Sequence, residues 1–294
     1  MPNQQGELEQ EIGHPVALVH APLEDQAVRM LYECLRRLGP TGRLGLVLNT
    51  VGGSVSAARR LVLIAREFCD VLVVLVPYKA RSAGTLVCLG ADELVLGRMA
   101  ELSPIDAQIS SAPQAQPRGP GEIGAEDVKA FRNLAQEWFD VTRPEDRIQV
   151  LALLAQAVFP PTLGYAYRVT SYTRRVATEL LRHQIPGAEP CELEATIDLL
   201  MGASTVHDAQ FTRSDAVAMG LNVVEPSEKV ERLIWDLVQG AQHAMARDET
   251  LNGIVARAEF RAQRRSVQVE SASQDSSPHG RLLVHETNWE LTET

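Results

Sequence analysis

The distribution of apolar positions predicts two consecutive strand–turn–helix units in the first third of the chain. Residues 44–49 form an apolar run that ends in Thr-Val-Gly-Gly-Ser, and a helical pattern follows over residues 56–68. Residues 71–76 form a second apolar run, which leads through Arg-Ser-Ala-Gly-Thr into the apolar segment 86–89. In a right-handed parallel arrangement, both turns lie at the carboxyl ends of the strands, where such sheets bind ligands.

The same patterns continue on both sides of these units. They predict a strand at 16–20, a helix at 24–38 and a strand at 93–96, and a mostly helical chain from residue 125 onward. The later predicted elements are helices at 126–139, 144–159, 169–183, 191–201, 214–219 and 227–246, with a final strand at 221–224.

Composition divides the chain into four segments. Residues 1–13 are polar and are predicted to be disordered, and residues 14–226 are predicted to form the folded domain. Residues 227–265 are predicted to be a helical extension, and the polar tail 266–294 is predicted to be unfolded. The expected fold class is α/β, with a largely helical C-terminal half.

The overall charge argues against a nucleic-acid-binding surface. The net charge is −10 and the sequence pI is about 5.3, whereas nucleic-acid binding needs a basic stripe. The N-terminus is acidic, unlike a signal peptide, and no apolar run approaches the roughly 20 residues needed to cross a bilayer. We therefore expect a cytoplasmic protein without stable membrane insertion.

The cysteines do not have the spacing of a metal site or a disulfide framework, and we expect them to be reduced core residues. They are Cys34, Cys69, Cys88 and Cys191.

The two turns carry the candidate chemistry. A serine between small residues, such as Ser82, can project its hydroxyl beside free backbone N–H groups, an arrangement that acyl transfer requires. Ser82 could instead simply cap a helix. The pair Gly52 and Gly53 lets a backbone N–H approach a ligand without interference from a Cβ. A phosphate-binding use of this pair is weak, because neither a following Lys-Ser/Thr nor a G-x-G-x-x-G spacing is present.

Several ordered blocks of this chain together resemble the serine dehydrogenase proteinase family. That family is a cytoplasmic relative of signal peptide peptidase A within the Clp protease and crotonase-like superfamily. The resemblance covers roughly residues 44–224, with valine, arginine, serine and alanine departing from the family pattern at positions 51, 81, 103 and 107. The blocks that carry it are residues 49–53, 80–85, 91–96, 102–108 and 206–208, followed by 216–224.

The resemblance implies a fold, an assembly and a set of roles. The fold would be a spiral of ββα units, and the protein would form a homo-oligomer. Ser82 would be the nucleophile, and the backbone N–H groups of Gly53 or Gly52 and of Ala83 would stabilise the oxyanion. The departure at position 81 places a bulky cation beside the nucleophile, which puts full activity in question.

Three residues are candidates for the base that activates the serine, namely His207, Lys129 and Lys79. His207 lies in a polar turn and would titrate near neutrality, as a general base should. Lys129 is the second candidate, because signal peptide peptidases of this superfamily use a Ser-Lys dyad, and a lysine base must be desolvated. Asp106 could orient a histidine or could simply hold its own turn. Lys79, one short turn before Ser82, is the weakest candidate.

These residues favour a serine peptidase that acts on peptides or proteins. The first alternative is a catalytically weak oligomeric binding scaffold. The second is an acyl-CoA enzyme that holds a thioester enolate with the same N–H groups, although no pair of glutamates lies near Gly84. No cofactor fingerprint is present, so we expect neither a cofactor nor a metal, and pyridoxal phosphate or NAD chemistry has little support.

Overall fold

The computed structural model describes residues 2–105, 125–158, 160–202, 209–248, 251–257, 260–272 and 281–293. The helices of these ranges are α1 (Pro2–Ile12), α2 (Asp25–Leu38), α3 (Val55–Arg66), α4 (Ala83–Leu89), α5 (Ala125–Glu137), α6 (Pro144–Ala157), α7 (Pro160–Gln184), α8 (Pro190–Gly202), α9 (Arg213–Ala218) and α10 (Glu228–Arg247). The strands are β1 (Val16–His20), β2 (Thr41–Asn49), β3 (Cys69–Val76), β4 (Lys79–Ala80), β5 (Glu93–Leu96), β6 (Glu101–Leu102), β7 (Val223–Val224), β8 (Leu251–Arg257), β9 (Phe260–Ala272) and β10 (Arg281–Glu293).

The main sheet has eight strands in the order β10-β9-β8-β1-β2-β3-β5-β7. The segment from β1 to β7 is parallel, whereas β8, β9 and β10 pair antiparallel with their neighbours. A second, two-stranded parallel sheet joins β4 to β6. The predicted α/β class with consecutive strand–turn–helix units is confirmed.

Alternation along the central strands divides the core into two clusters. In β2, Leu44, Leu46 and Leu48 belong to one cluster, and Val47 belongs to the other. Because successive strand side chains point to opposite faces, both faces of the sheet are apolar and both need a covering layer. The first cluster includes buried side chains of α2, α3, α4, α7 and α8, and the second includes those of α1 and α10.

The N-terminal segment that was predicted to be disordered is a helix, α1. Leu8 is fully buried in the second cluster, and the Gln5 side-chain amide donates a hydrogen bond to the Val16 carbonyl. The Glu9 carboxylate accepts one from the Val16 N–H. The helix is therefore held by a few tertiary contacts, although its sequence is largely polar.

The C-terminal predictions also need correction. The helix that was predicted to continue to residue 265 ends at Arg247, and the strand Leu251–Arg257 follows it. Ile254 and Val255 of this strand are fully buried, and they pair with His20 and Val19 of β1. The tail that was predicted to be unfolded contains the strands Phe260–Ala272 and Arg281–Glu293, which pair along their whole length.

Candidate active site

The two predicted turns meet at the ends of β2 and β3. The Thr50 N–H donates to the Lys79 carbonyl at 2.7 Å, and the Arg81 N–H donates to the Thr50 carbonyl at 3.1 Å. These bonds bring the backbone of the glycine turn beside the serine turn. A Cβ placed on Gly52 would lie 3.0 Å from both the Arg81 carbonyl oxygen and the Ser82 Cβ. Position 52 therefore accepts only a glycine at this contact.

Ser82 has an unusual backbone conformation, with φ 50° and ψ −112°. Such a conformation costs a non-glycine residue about 1–3 kcal/mol and persists only where its surroundings impose it. Here the Ser82 N–H donates to the Ser103 Oγ at 2.7 Å. The Thr85 hydroxyl in turn contacts the Ala80 and Ser103 carbonyls at 3.0 and 2.8 Å. A buried network thus holds the turn in place.

The Ser82 hydroxyl is not used to stabilise the fold. Ser82 precedes α4, yet its side chain makes no capping hydrogen bond, so the alternative role as a helix cap is wrong. The side chain is partly exposed, and none of the described residues forms a hydrogen bond with Oγ. The oxygen is therefore available to a ligand.

The backbone amides of the two turns differ in their availability. The Gly52 N–H donates to the Thr50 Oγ1 at 3.1 Å, and Gly52 is buried. By contrast, Gly53 is exposed, and neither its N–H nor that of Ala83 donates to an acceptor in the described ranges. Of the two glycines considered from the sequence, Gly53 is thus the better placed to supply a free donor.

Arg81 is directed to an acidic partner. Its Nε donates to the Glu101 Oε1 at 2.8 Å, and the Lys79 Nζ lies 3.7 Å from the same oxygen. The cation that departs from the family pattern is thus paired with a carboxylate on β6. The Lys79 ammonium also lies 4.5 Å from the centre of the Tyr78 ring, which agrees with its low rank as a base.

The candidates for the base cannot be placed beside Ser82 from the described residues. His207 and Asp106 lie outside the described residues. Lys129 lies on α5, but its side chain is also outside them. Asp215, which follows His207 by eight positions, forms a capping box with Thr212 at the start of α9. The hydrogen bonds from Thr212 lower the pKa of Asp215, which suits a cap residue.

Sequence patterns did not reveal a buried pair at the ends of β1 and β2, His20 and Asn49. The Asn49 Oδ1 accepts a hydrogen bond from the Lys79 N–H, which directs the Asn49 Nδ2 donor toward the His20 Nδ1 at 2.9 Å. His20 is 7% exposed, and burial lowers its pKa to about 4. The imidazole is therefore neutral at pH 7, with its proton on Nε2. In the sequence, the only indication of this pair was that His20 and Asn49 each end a segment that is predicted to be a strand.

This histidine should make stability depend on pH. Because its pKa falls from 6.5 in the unfolded chain to about 4 in the folded one, the unfolded state binds the extra proton first as the pH drops. The contribution of the neutral His20 ring to the free energy of unfolding is complete above pH 6.5. About 3 kcal/mol of this free energy should be lost by about pH 4. Urea unfolding across this range measures the loss. His20→Gln should flatten this part of the curve, whereas the exposed control His243→Gln should not, and parallel curves for wild type and His20→Gln would contradict the assignment.

Other site types find no support among the residues with described positions. The described residues contain no group of three or more His, Cys, Asp or Glu side chains that could hold a metal ion. No disulfide links the four cysteines, three of which are buried, and burial raises the pKa of the Cys69 thiol to about 11. Within the same ranges no single helix is long and apolar enough to cross a membrane, although α6 and α7, bent by 106°, pass that test as a pair.

The parallel sheet, with a glycine turn beside a serine turn at the strand ends, defines an α/β protein whose two turns lie at one edge of the sheet. Residues 25–117 match the model of the ClpP-like SDH-type serine proteinases, and this match includes both turns. The family resemblance predicted from the motifs is thereby confirmed.

Two archaeal proteins from Methanocaldococcus jannaschii are similar to this chain. Uncharacterized protein MJ1495 is 33% identical over 72 residues, which are 24% of this chain and 25% of that protein. Uncharacterized protein MJ0137 is 24% identical over 182 residues, which are 61% of this chain and 53% of that protein. The alignments thus span about a quarter and about half of these relatives, and they add no assigned activity.

Proposed function

We propose that this protein is a serine peptidase that hydrolyses peptide bonds through an acyl-enzyme on Ser82. The observation that carries the proposal is the contact between the two turns, in which the Ser82 Cβ lies against Gly52 and the Ser82 hydroxyl is free of partners within the described structure. The match of residues 25–117 to a serine proteinase family supports the same activity.

In the proposed reaction, the Ser82 oxygen bonds to the carbonyl carbon of the peptide and its proton passes to a base. The carbonyl oxygen becomes an anion, which the N–H groups of Gly53 and Ala83 stabilise. The C–N bond then breaks, and the leaving amine takes the proton from the base. Water hydrolyses the resulting ester by the same steps and releases Ser82. His207 and Lys129 remain the two candidate bases.

The strained backbone of Ser82 fits this role. A nucleophile must project toward its substrate, and a turn fixed at φ 50° presents the side chain in one orientation. The hydrogen bond from the Ser82 N–H to Ser103 removes that amide from the set of possible oxyanion donors. The donors therefore come from the residue after the nucleophile and from the glycine turn.

A fluorophosphonate probe tests the proposal, because it labels an activated serine and needs no knowledge of the substrate. We expect stoichiometric labelling that peptide mapping assigns to Ser82, and no labelling of Ser82→Ala. Ser56→Ala, which changes an exposed serine near the glycine turn, should label like wild type. A folded, assembled protein that resists the probe would overturn the proposal and favour the binding-scaffold alternative.

A further inference from the structure

A cavity of about 380 Å³ lies beside the glycine turn, at the carboxyl ends of β1 and β2. His20 and Asn49 line it from these strand ends, and Gln242 and Met245 line it from α10. Thr50 and Val51, the two residues before Gly52, form part of its wall. The cavity therefore adjoins the residues that would receive a substrate, in the region where parallel sheets bind ligands.

His20 contributes a hydrogen-bond donor to this cavity. Because Nδ1 accepts from Asn49, the proton of the neutral ring is on Nε2. No described residue accepts a hydrogen bond from Nε2. Among the described side chains, Thr173 Oγ1 is the polar atom that is both fully buried and without a hydrogen-bond partner. The His20 Nε2 also lacks a partner but is not in that category, so it must retain some accessible surface. This donor belongs to a residue that is only 7% exposed and that lines the cavity.

The ionised residue that lines the cavity is a cation. Lys79 is one of the lining residues, and none of the described lining residues carries a carboxylate. Glu101 is shared, since it pairs with Arg81 at 2.8 Å and with Lys79 at the longer distance of 3.7 Å. Among these three side chains, two cations share one carboxylate, which leaves one positive charge. A negatively charged group would balance this charge and accept hydrogen bonds from both Lys79 and His20.

The remaining wall is suited to hydrocarbon. Pro22, Val51 and Met245 supply apolar surface to the cavity. Val51 is 70% exposed, so an occupant would cover an apolar side chain that otherwise faces water. A carboxylate carried on a short aliphatic chain matches both the donors and this apolar surface.

We propose that this cavity is a subsite that binds a carboxylate group of the peptide substrate. The inference rests on the proposed peptidase function, and it adds a preference for peptides that present a carboxylate to this cavity. The carboxylate could belong to a glutamate or aspartate side chain or to a free peptide C-terminus. Lys79 and the His20 Nε2–H would bind its oxygens, and Thr50 and Val51 would connect the subsite to the glycine turn.

Binding to full-length Ser82→Ala protein tests this inference without requiring hydrolysis. Calorimetry would compare four versions of one short peptide, with an internal Glu or Gln, each with a free or an amidated C-terminus. We expect a version that presents a carboxylate to bind about tenfold or more tightly than its amide counterpart, since hydrogen bonds to charged groups contribute roughly 1.5–3 kcal/mol. The internal pair and the terminal pair identify the source of the carboxylate.

Lys79→Met should remove this preference, and Lys229→Met should retain it. Lys229 is a matched control because it is a partly exposed lysine on α10 that pairs with Glu11. Equal affinities for all four peptides, or a preference that survives Lys79→Met, would overturn the subsite. Fluorophosphonate labelling of the wild-type protein is scored separately. Labelling without a carboxylate preference refutes the subsite alone, whereas a preference without labelling refutes the peptidase.

Discussion

Replacing Ser82 with glycine is expected to raise the free energy of unfolding by about 1 kcal/mol while abolishing peptide hydrolysis. The backbone at φ 50° and ψ −112° costs serine about 1–3 kcal/mol, and glycine adopts this region without that penalty. The greater freedom of glycine in the unfolded chain offsets about 0.5–1 kcal/mol of the gain. Loss of the hydroxyl should lower kcat by about 10³- to 10⁶-fold, as in other enzymes that lose a nucleophile.

Ser82→Ala separates the two effects. Alanine removes the hydroxyl but keeps the Cβ, so we expect the same loss of kcat with a stability within about 0.5 kcal/mol of wild type. Urea unfolding measures the stabilities, and hydrolysis of a fluorogenic peptide mixture measures the activity. A glycine variant no more stable than the alanine variant would show that the turn is not strained. Undiminished hydrolysis in either variant would exclude Ser82 as the nucleophile.

The central sheet could be predicted from local sequence because both of its faces are buried. Strands such as β1, β2 and β3 are continuous apolar runs, and the helices between them have a clear apolar face. The meeting of the two turns also followed from the sequence, since parallel strands joined by a helix place their carboxyl ends at one edge. The fold class and the contact between the glycine turn and the serine turn could thus be predicted without coordinates.

The chain ends could not be predicted in this way, because their order depends on distant partners. Helix α1 has few apolar residues, and it is fixed by Leu8 and by hydrogen bonds to Val16. Strand β8 forms because the edge of β1 offers unpaired backbone groups, a feature that no local pattern around residue 254 encodes. The pairing of His20 with Asn49 joins residues that are 29 positions apart, so it too was hidden from local analysis.

The role of Arg81 also depended on tertiary structure. From the sequence, its position beside Ser82 placed an unpaired cation at the nucleophile. In the fold, the Glu101 carboxylate on β6 lies within hydrogen-bond distance of its guanidinium. The carboxylate is 20 positions away in sequence, and only the pairing of β4 with β6 brings the two together. The same pairing supplies Lys79 to the proposed carboxylate subsite.

Gly53→Ala is the second change with a large expected effect. Gly53 has φ 147°, and a Cβ at this position would lie 2.2 Å from the Leu23 carbonyl oxygen and 2.8 Å from the Leu23 nitrogen. Both of these groups are fixed, because the Leu23 N–H donates to the Gly52 carbonyl and the Leu23 carbonyl accepts from the Ser54 N–H. Backbone atoms cannot move aside as a flexible side chain could. We expect a loss of about 3–5 kcal/mol in the free energy of unfolding.

Gly42→Ala is the matched control, since a Cβ at position 42 meets no atom within 4 Å and its φ is not positive. It should change the stability by less than about 1 kcal/mol. Under conditions in which Gly53→Ala remains folded, displacement of the turn should also slow fluorophosphonate labelling by about 100- to 1,000-fold, because the proposed oxyanion donor would be moved. Similar urea midpoints for the two variants would show that Leu23 does not fix the turn. Slow labelling in a Gly53→Ala protein of normal stability would instead assign the effect to the donor alone.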